Sequence, residues 1–83
     1  MSRKQKLIER LKSKPIDFTF DEMESLLFSL GFLKSNAGKT SGSRVKYRLD
    51  GIEIRVHRPH PSNQLKHYQV SQILNILEQE GLI

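Results

Sequence analysis

Apolar residues recur at helical spacing near the start of the chain and again over residues 19–30, alternate singly through 44–57, and return to helical spacing from about residue 67. In residues 3–13, Leu7, Ile8 and Leu11 make one stripe among Arg3, Lys4, Lys6, Arg10 and Lys12. That is an amphipathic basic helix, and it must end before Pro15, because a proline pushes the preceding residue out of the helical region. The stripe calls for a hydrophobic partner. A second helix is signalled by the capping box Thr19 and Glu22, with Phe18 and Met23 placed as a hydrophobic staple. Met23, Leu26, Leu27 and Leu30 follow at i, i+3, i+4 and i+7, Gly31 supplies the stop, and the acidic residues sit in the first turn where the helix dipole favours them. Gly31-Phe32-Leu33-Lys34 then starts a first strand, and the polar run Ser35 to Ser43 reads as a flexible loop. Val45, Tyr47 and Leu49 alternate with Arg44, Lys46 and Arg48 in a second strand. Asp50-Gly51 is a two-residue turn, and Ile52, Ile54 and Val56 alternate with Glu53, Arg55 and His57 on the return. Pro59 and Pro61 end the sheet, and a last helix carries Val70, Ile73, Leu74 and Leu77 on one face before Gly81. The expected class is α+β.

The hairpin register decides which side chains share a face. With Asp50-Gly51 as the loop, Leu49 opposes Ile52, Tyr47 opposes Ile54 and Val45 opposes Val56, and these pairs face the helices. On the other face Arg48 opposes Glu53, Lys46 opposes Arg55 and Arg44 opposes His57, with Cβ atoms of directly opposed residues about 4.5–5.5 Å apart. Arg48 is expected to be half-committed to Glu53. Tyr47 belongs to the core by its alternation, and Phe18, Phe20, Phe28 and Phe32 read as packing residues rather than base-stacking platforms.

Charge sharpens this picture. The formal net charge of the 83 residues is +5, but residues 31–68 carry eight Lys/Arg against Asp50 and Glu53, while residues 21–30 hold only three acids and the last fifteen only Glu78 and Glu80. Segregation of this kind points to a basic surface on the middle of the domain and to an anionic partner such as nucleic acid; a solvated strand face is the plainer alternative. With 36% hydrophobic residues and no cysteine, the chain suits a small globule without disulfides in a reducing cytoplasm, and no apolar run approaches the ~20 residues that cross a bilayer. Other chemistries are poorly supported. Gly38-Lys39-Thr40 looks like the end of a phosphate-binding loop, but the first glycine that motif needs falls on Leu33. His57, His60 and His67 lack a supporting cysteine, so no metal or other cofactor is expected. The basic first helix has too narrow an apolar side to favour a membrane surface over packing on the domain.

Several short motifs, taken in order, resemble one family. Leu30-Gly31-Phe32 ends a helix, Gly42-Ser43 opens a strand, Tyr47 is aromatic, His60-Pro61 follows the third strand, and Leu65-Lys66 leads into a helix ending Glu80-Gly81-Leu82. From about Met23 to Ile83 the chain is similar to HicA-type toxins of bacterial toxin–antitoxin systems. The resemblance implies a double-stranded-RNA-binding-domain-like α-β-β-β-α fold, with residues 1–17 as an N-terminal helical extension and 18–83 as the toxin domain. It also implies mRNA cleavage that arrests translation, and neutralisation by a HicB-type antitoxin.

One position departs from the family motif, in which glycine and serine or threonine precede a histidine regarded as catalytic. Here the run is Gly42-Ser43-Arg44. Cleavage of RNA through its own 2′-OH needs that hydroxyl deprotonated, the phosphorane charge stabilised and the leaving 5′-oxygen protonated. Arginine stays protonated at physiological pH, so Arg44 suits only the second task, through a bidentate phosphate contact. The register supplies a replacement imidazole in His57, which opposes Arg44 on the same face. His60 is a second candidate, with turn geometry an equal reason for its presence. The expected catalytic set is thus His57, Arg44 and His60, and the RNA-contacting set Arg44, Lys46, Arg48, Arg55 and Lys66. A noncatalytic RNA-binding module, or a domain that only docks an acidic protein, are the alternatives.

Overall fold

The computed structural model describes residues 2–35, 44–59 and 62–83. Helix α1 (Arg3–Lys12) and helix α2 (Phe20–Leu30) precede three strands, β1 (Leu33–Ser35), β2 (Arg44–Leu49) and β3 (Ile52–His57), and helix α3 (His67–Gln79) closes the chain. The architecture is α+β, an α-β-β-β-α unit with an additional N-terminal helix. The sheet is antiparallel in the order β1-β2-β3. The first strand is shifted from its expected position: Gly31 takes a left-handed φ of 106° as the cap of α2, Phe32 is buried, and Ser35 belongs to the strand rather than to the following loop. The remainder of that polar loop, residues 36–43, lies outside the described residues.

The hairpin has the expected register throughout, from Leu49↔Ile52 to Arg44↔His57. Asp50 and Gly51 both have positive φ, 46° and 84°, as a two-residue turn matched to strand twist requires. Its apolar face carries Val45, Tyr47, Ile54 and Val56 into a single core with Phe18, Phe20, Met23, Leu26 and Leu27 and with Val70, Ile73, Leu74 and Leu77. Leu7 and Leu11 of α1 join that core. Glu22 locks α1 in place. It completes the capping box by accepting from the Thr19 N–H at 3.0 Å, and its carboxylate also meets Arg10, with Arg10 Nε 2.8 Å from Oε2. Arg10 also reaches Asp17 at 3.2 Å and lies 5.7 Å from the Phe18 ring centroid.

A second polar node fastens the sheet to α2. The Tyr47 hydroxyl donates to Glu24 Oε2 at 2.7 Å, and Lys34 Nζ is 3.1 Å from the same oxygen. Burial pushes the Tyr47 phenol up, and the neighbouring carboxylate raises it further. Burial alone would raise the Glu24 carboxyl, but the bonds from Tyr47 and Lys34 outweigh it and hold the group below its ordinary range. A lowered folded-state pKa contributes stability above the unfolded value and loses it as the pH falls through the folded one. Tyr47→Phe should therefore cost about 1.5 kcal/mol at neutral pH, the lower end for a bond to a charged group, since the Glu24 side chain is 21% exposed. Urea unfolding of the two proteins should show that gap narrowing below the ordinary carboxylate range. An equal gap at pH 7 and in acid would refute it.

Candidate functional site

The strands alternate so that the apolar residues of one face enter the core with the helices, while the charged residues share the opposite, more exposed face. Arg44, Lys46 and Arg48 of β2 share it with Glu53, Arg55 and His57 of β3, and Leu33 and Ser35 of β1 fall beside Arg48 and Lys46. Arg44 and His57 are Cα partners at the end of the hairpin remote from the turn, both exposed. Sequence alternation and the turn dipeptide were enough to bring this pair together.

The acid on this face is engaged differently from the expectation. Glu53 does not pair with Arg48. Its Oε1 accepts from Arg55, with Nε at 2.9 Å and Nη2 at 2.8 Å, and its Oε2 lies 3.5 Å from Lys46 Nζ. Arg55 sits two residues along the same strand and approaches with two nitrogens, whereas Lys46 reaches it from the diagonal position. These cations hold the Glu53 carboxyl below its usual range, the bond from Arg55 acting most strongly. Among the described residues Arg44 and Arg48 have no acidic partner. Four cations and a histidine thus share the face with one carboxylate.

Lys66 is placed elsewhere, at the N-cap of α3. The chain reaches it by a pinned route: Phe20 N donates to Asn63 O at 2.8 Å and Leu65 N to Phe18 O at 2.8 Å, which fixes this segment against the start of α2. Leu65 is buried and Lys66 exposed as a result. Gln69 then joins α3 to the sheet. Its Oε1 accepts from the Lys66 N–H at 2.9 Å, and its Nε2 donates to the His57 carbonyl at 3.0 Å. Gln69 is the one buried polar residue among those described, and both ends of its amide are satisfied. Its sequence signal was its place three residues after the cap, where a reciprocal cap bond is common.

That clamp sets Lys66 beside His57 around a depression of about 510 Å³, lined also by Arg58, Ser62, Gln64, Tyr68 and Gln69. Tyr68, which lies off the apolar stripe of α3, is 63% exposed at its rim. Arg58 is turned towards α2, with its guanidinium 4.8 Å from the Phe20 ring centroid. Phe28 is more exposed than a core residue and packs edge-on against Tyr47 at 6.0 Å between ring centroids. Gly42, Ser43, His60 and Pro61 lie outside the described residues. Among the described residues no three His, Cys, Asp or Glu come together as a metal site, and no helix is long and apolar enough to cross a membrane.

The family model described as HicA toxin of bacterial toxin–antitoxin matches residues 20–82. No curated protein and no solved structure matches the chain. The match takes in α2, the whole sheet and α3, the elements that build the basic face and its flanking depression, and the chain belongs to the family of HicA toxins of bacterial toxin–antitoxin systems.

Proposed function

We propose that this toxin binds single-stranded mRNA across the open sheet face and cleaves it, with His57 and Arg44 at the scissile phosphate and a HicB-type antitoxin covering the same face to silence it. The observation that carries the proposal is the pairing of Arg44 with His57 on a face where, among the described residues, Arg44 and Arg48 have no acidic partner. Arg44 stands where the family motif has its histidine, and its guanidinium matches a phosphate in a bidentate contact. His57 supplies the imidazole from the neighbouring strand. In the proposed reaction the imidazole takes the 2′-OH proton as the 2′-oxygen attacks phosphorus. Arg44 stabilises the charge gathered on the non-bridging oxygens. The bond to the 5′-oxygen then breaks and that oxygen receives the proton back, leaving a 2′,3′-cyclic phosphate and a 5′-hydroxyl. One imidazole closes the proton balance, and His60, which follows His57 in the sequence, is the second candidate for the acid role. Lys46, Arg48 and Arg55 hold the flanking phosphates, with Lys66 extending the track past the end of β3.

A long single-stranded RNA incubated with the purified toxin in EDTA tests this. New fragments with 5′-hydroxyl ends are expected. Binding to an uncuttable RNA should weaken with salt along a slope of roughly −3, about −0.7 for each of four cations on the face, and Arg48→Ala should flatten it by about 0.7. Steep binding without cutting would favour the noncatalytic module, which the arginine at the motif position also suits. Absence of both would leave only a protein-docking role.

A further inference from the structure

A smaller pocket of about 150 Å³ lies between the outer edge of β3 and the first turns of α3. Arg55 and His57 form its sheet side, Tyr68, Gln69 and Gln72 its helix side, and Val56 and Ile73 its floor. We propose that this pocket receives one unstacked base of a single-stranded RNA, held against the Tyr68 ring and selected by the Gln72 amide. The inference rests on the RNA reading above and adds to it where, and in what form, the chain reads its substrate.

Size is the first support. The pocket's volume of about 150 Å³ is of the size that holds one benzene-sized ring, room for one planar heterocycle. The wall is the second. Tyr68 is a large aromatic left 63% exposed on α3, and its ring belongs to the pocket rather than to the core. Stacking on such a ring favours a base of any identity, since every base has a π-face. Gln72 follows one turn later and shares that side of the helix, and its amide offers both a donor and an acceptor for a base edge. Gln69 cannot compete for that role, because the His57 carbonyl and the Lys66 N–H use both ends of its amide.

Position is the third support. Arg55 and His57 belong at once to the pocket and to the basic face. A strand whose phosphates lie along the cations of β2 and β3 passes the β3 edge just where the pocket opens, and a base turned inward there leaves its phosphate beside His57. Paired bases cannot turn in this way, so the pocket selects single-stranded RNA over a duplex. The base bound there would sit next to the cut, which makes Tyr68 and Gln72 positioning and specificity residues rather than catalytic ones.

The test is fluorescence anisotropy with short single-stranded oligoribonucleotides, 2′-O-methylated so that they cannot be cut, at one fixed salt concentration. Tyr68→Ala should weaken binding about tenfold, as loss of one stacked base does, while Tyr68→Phe keeps parental affinity. Gln72→Ala should level the differences among uridine, cytidine and adenosine homopolymers. An oligonucleotide with one abasic position in the preferred register should bind the parent about tenfold more weakly, yet bind Tyr68→Ala as the intact one does. Parental binding by Tyr68→Ala, at an unchanged melting temperature, overturns the base pocket and leaves the RNA reading standing. If the parent itself binds no RNA, both fall, and the pocket becomes a seat for a partner protein's side chain.

Discussion

His57→Ala should lower the rate of RNA cleavage in EDTA by about two to four orders of magnitude, the usual contribution of a placed proton carrier. Affinity for an uncuttable RNA should change little, because the four cations of the face remain to hold the phosphates. The melting temperature should be unaltered, since the His57 side chain is exposed and Gln69 holds the residue through its backbone carbonyl. This separation of rate from affinity and stability distinguishes catalysis from a structural role. Equal cleavage by parent and variant would remove His57 from the mechanism and leave His60 or another group to carry the proton. Position 44 offers a sharper second arm. Because Arg44 and His57 are Cα partners, an imidazole on either strand approaches the same space. Arg44→His combined with His57→Ala returns the imidazole to the motif position, and should recover cleavage relative to His57→Ala alone. Arg44→Ala should instead lose rate and RNA affinity together, as it removes charge stabilisation and a phosphate contact but leaves the proton carrier in place.

The residues of this site differ in how legible they are from sequence, and the difference is one of range. Arg44 and His57 were legible because the alternation of β2 and β3 and the Asp50-Gly51 turn leave a single register that buries Val45, Tyr47, Ile54 and Val56 together. Which cation Glu53 would choose was not legible. Cross-strand opposition names Arg48, but the choice goes to Arg55, which meets the carboxylate with two nitrogens from its own strand. The Glu24 node was hidden further still, because Tyr47 and Glu24 are twenty-three residues apart and only the packing of α2 on the sheet brings them to 2.7 Å. A buried tyrosine does imply some partner for its hydroxyl, and Glu24 on the first turns of α2 was the available acid. Tyr68 gave a weaker signal. An aromatic two residues before Val70 falls off the stripe formed by Val70, Ile73, Leu74 and Leu77, so it has no core to enter. Exposure of that kind is informative only once the pocket beside it is known.

The largest expected change in stability lies far from the basic face, in α1. Leu11→Ala should destabilise the protein by about 2–5 kcal/mol, the range for truncating a fully buried leucine. A domain of this size has roughly 4–12 kcal/mol to lose, so one substitution removes a large share of it. Lys12→Ala, one residue on and exposed, should change little and serves as the control. Removal of residues 1–14 should go further, because it takes away Leu7 and Leu11 together with the Arg10 guanidinium that sits on Glu22. Glu22 would keep its bond to the Thr19 N–H, but the apolar surface that α1 covers on α2 and α3 would face water. Thermal melts and sedimentation of the truncated chain read both consequences: a lower transition, or self-association through the uncovered surface. The same melting temperature and oligomeric state as the parent would mean that α1 is an appendage. Loss of the transition would mean that the family core at residues 20–82 does not suffice in this chain, and that its basic first helix serves the fold before it serves any partner.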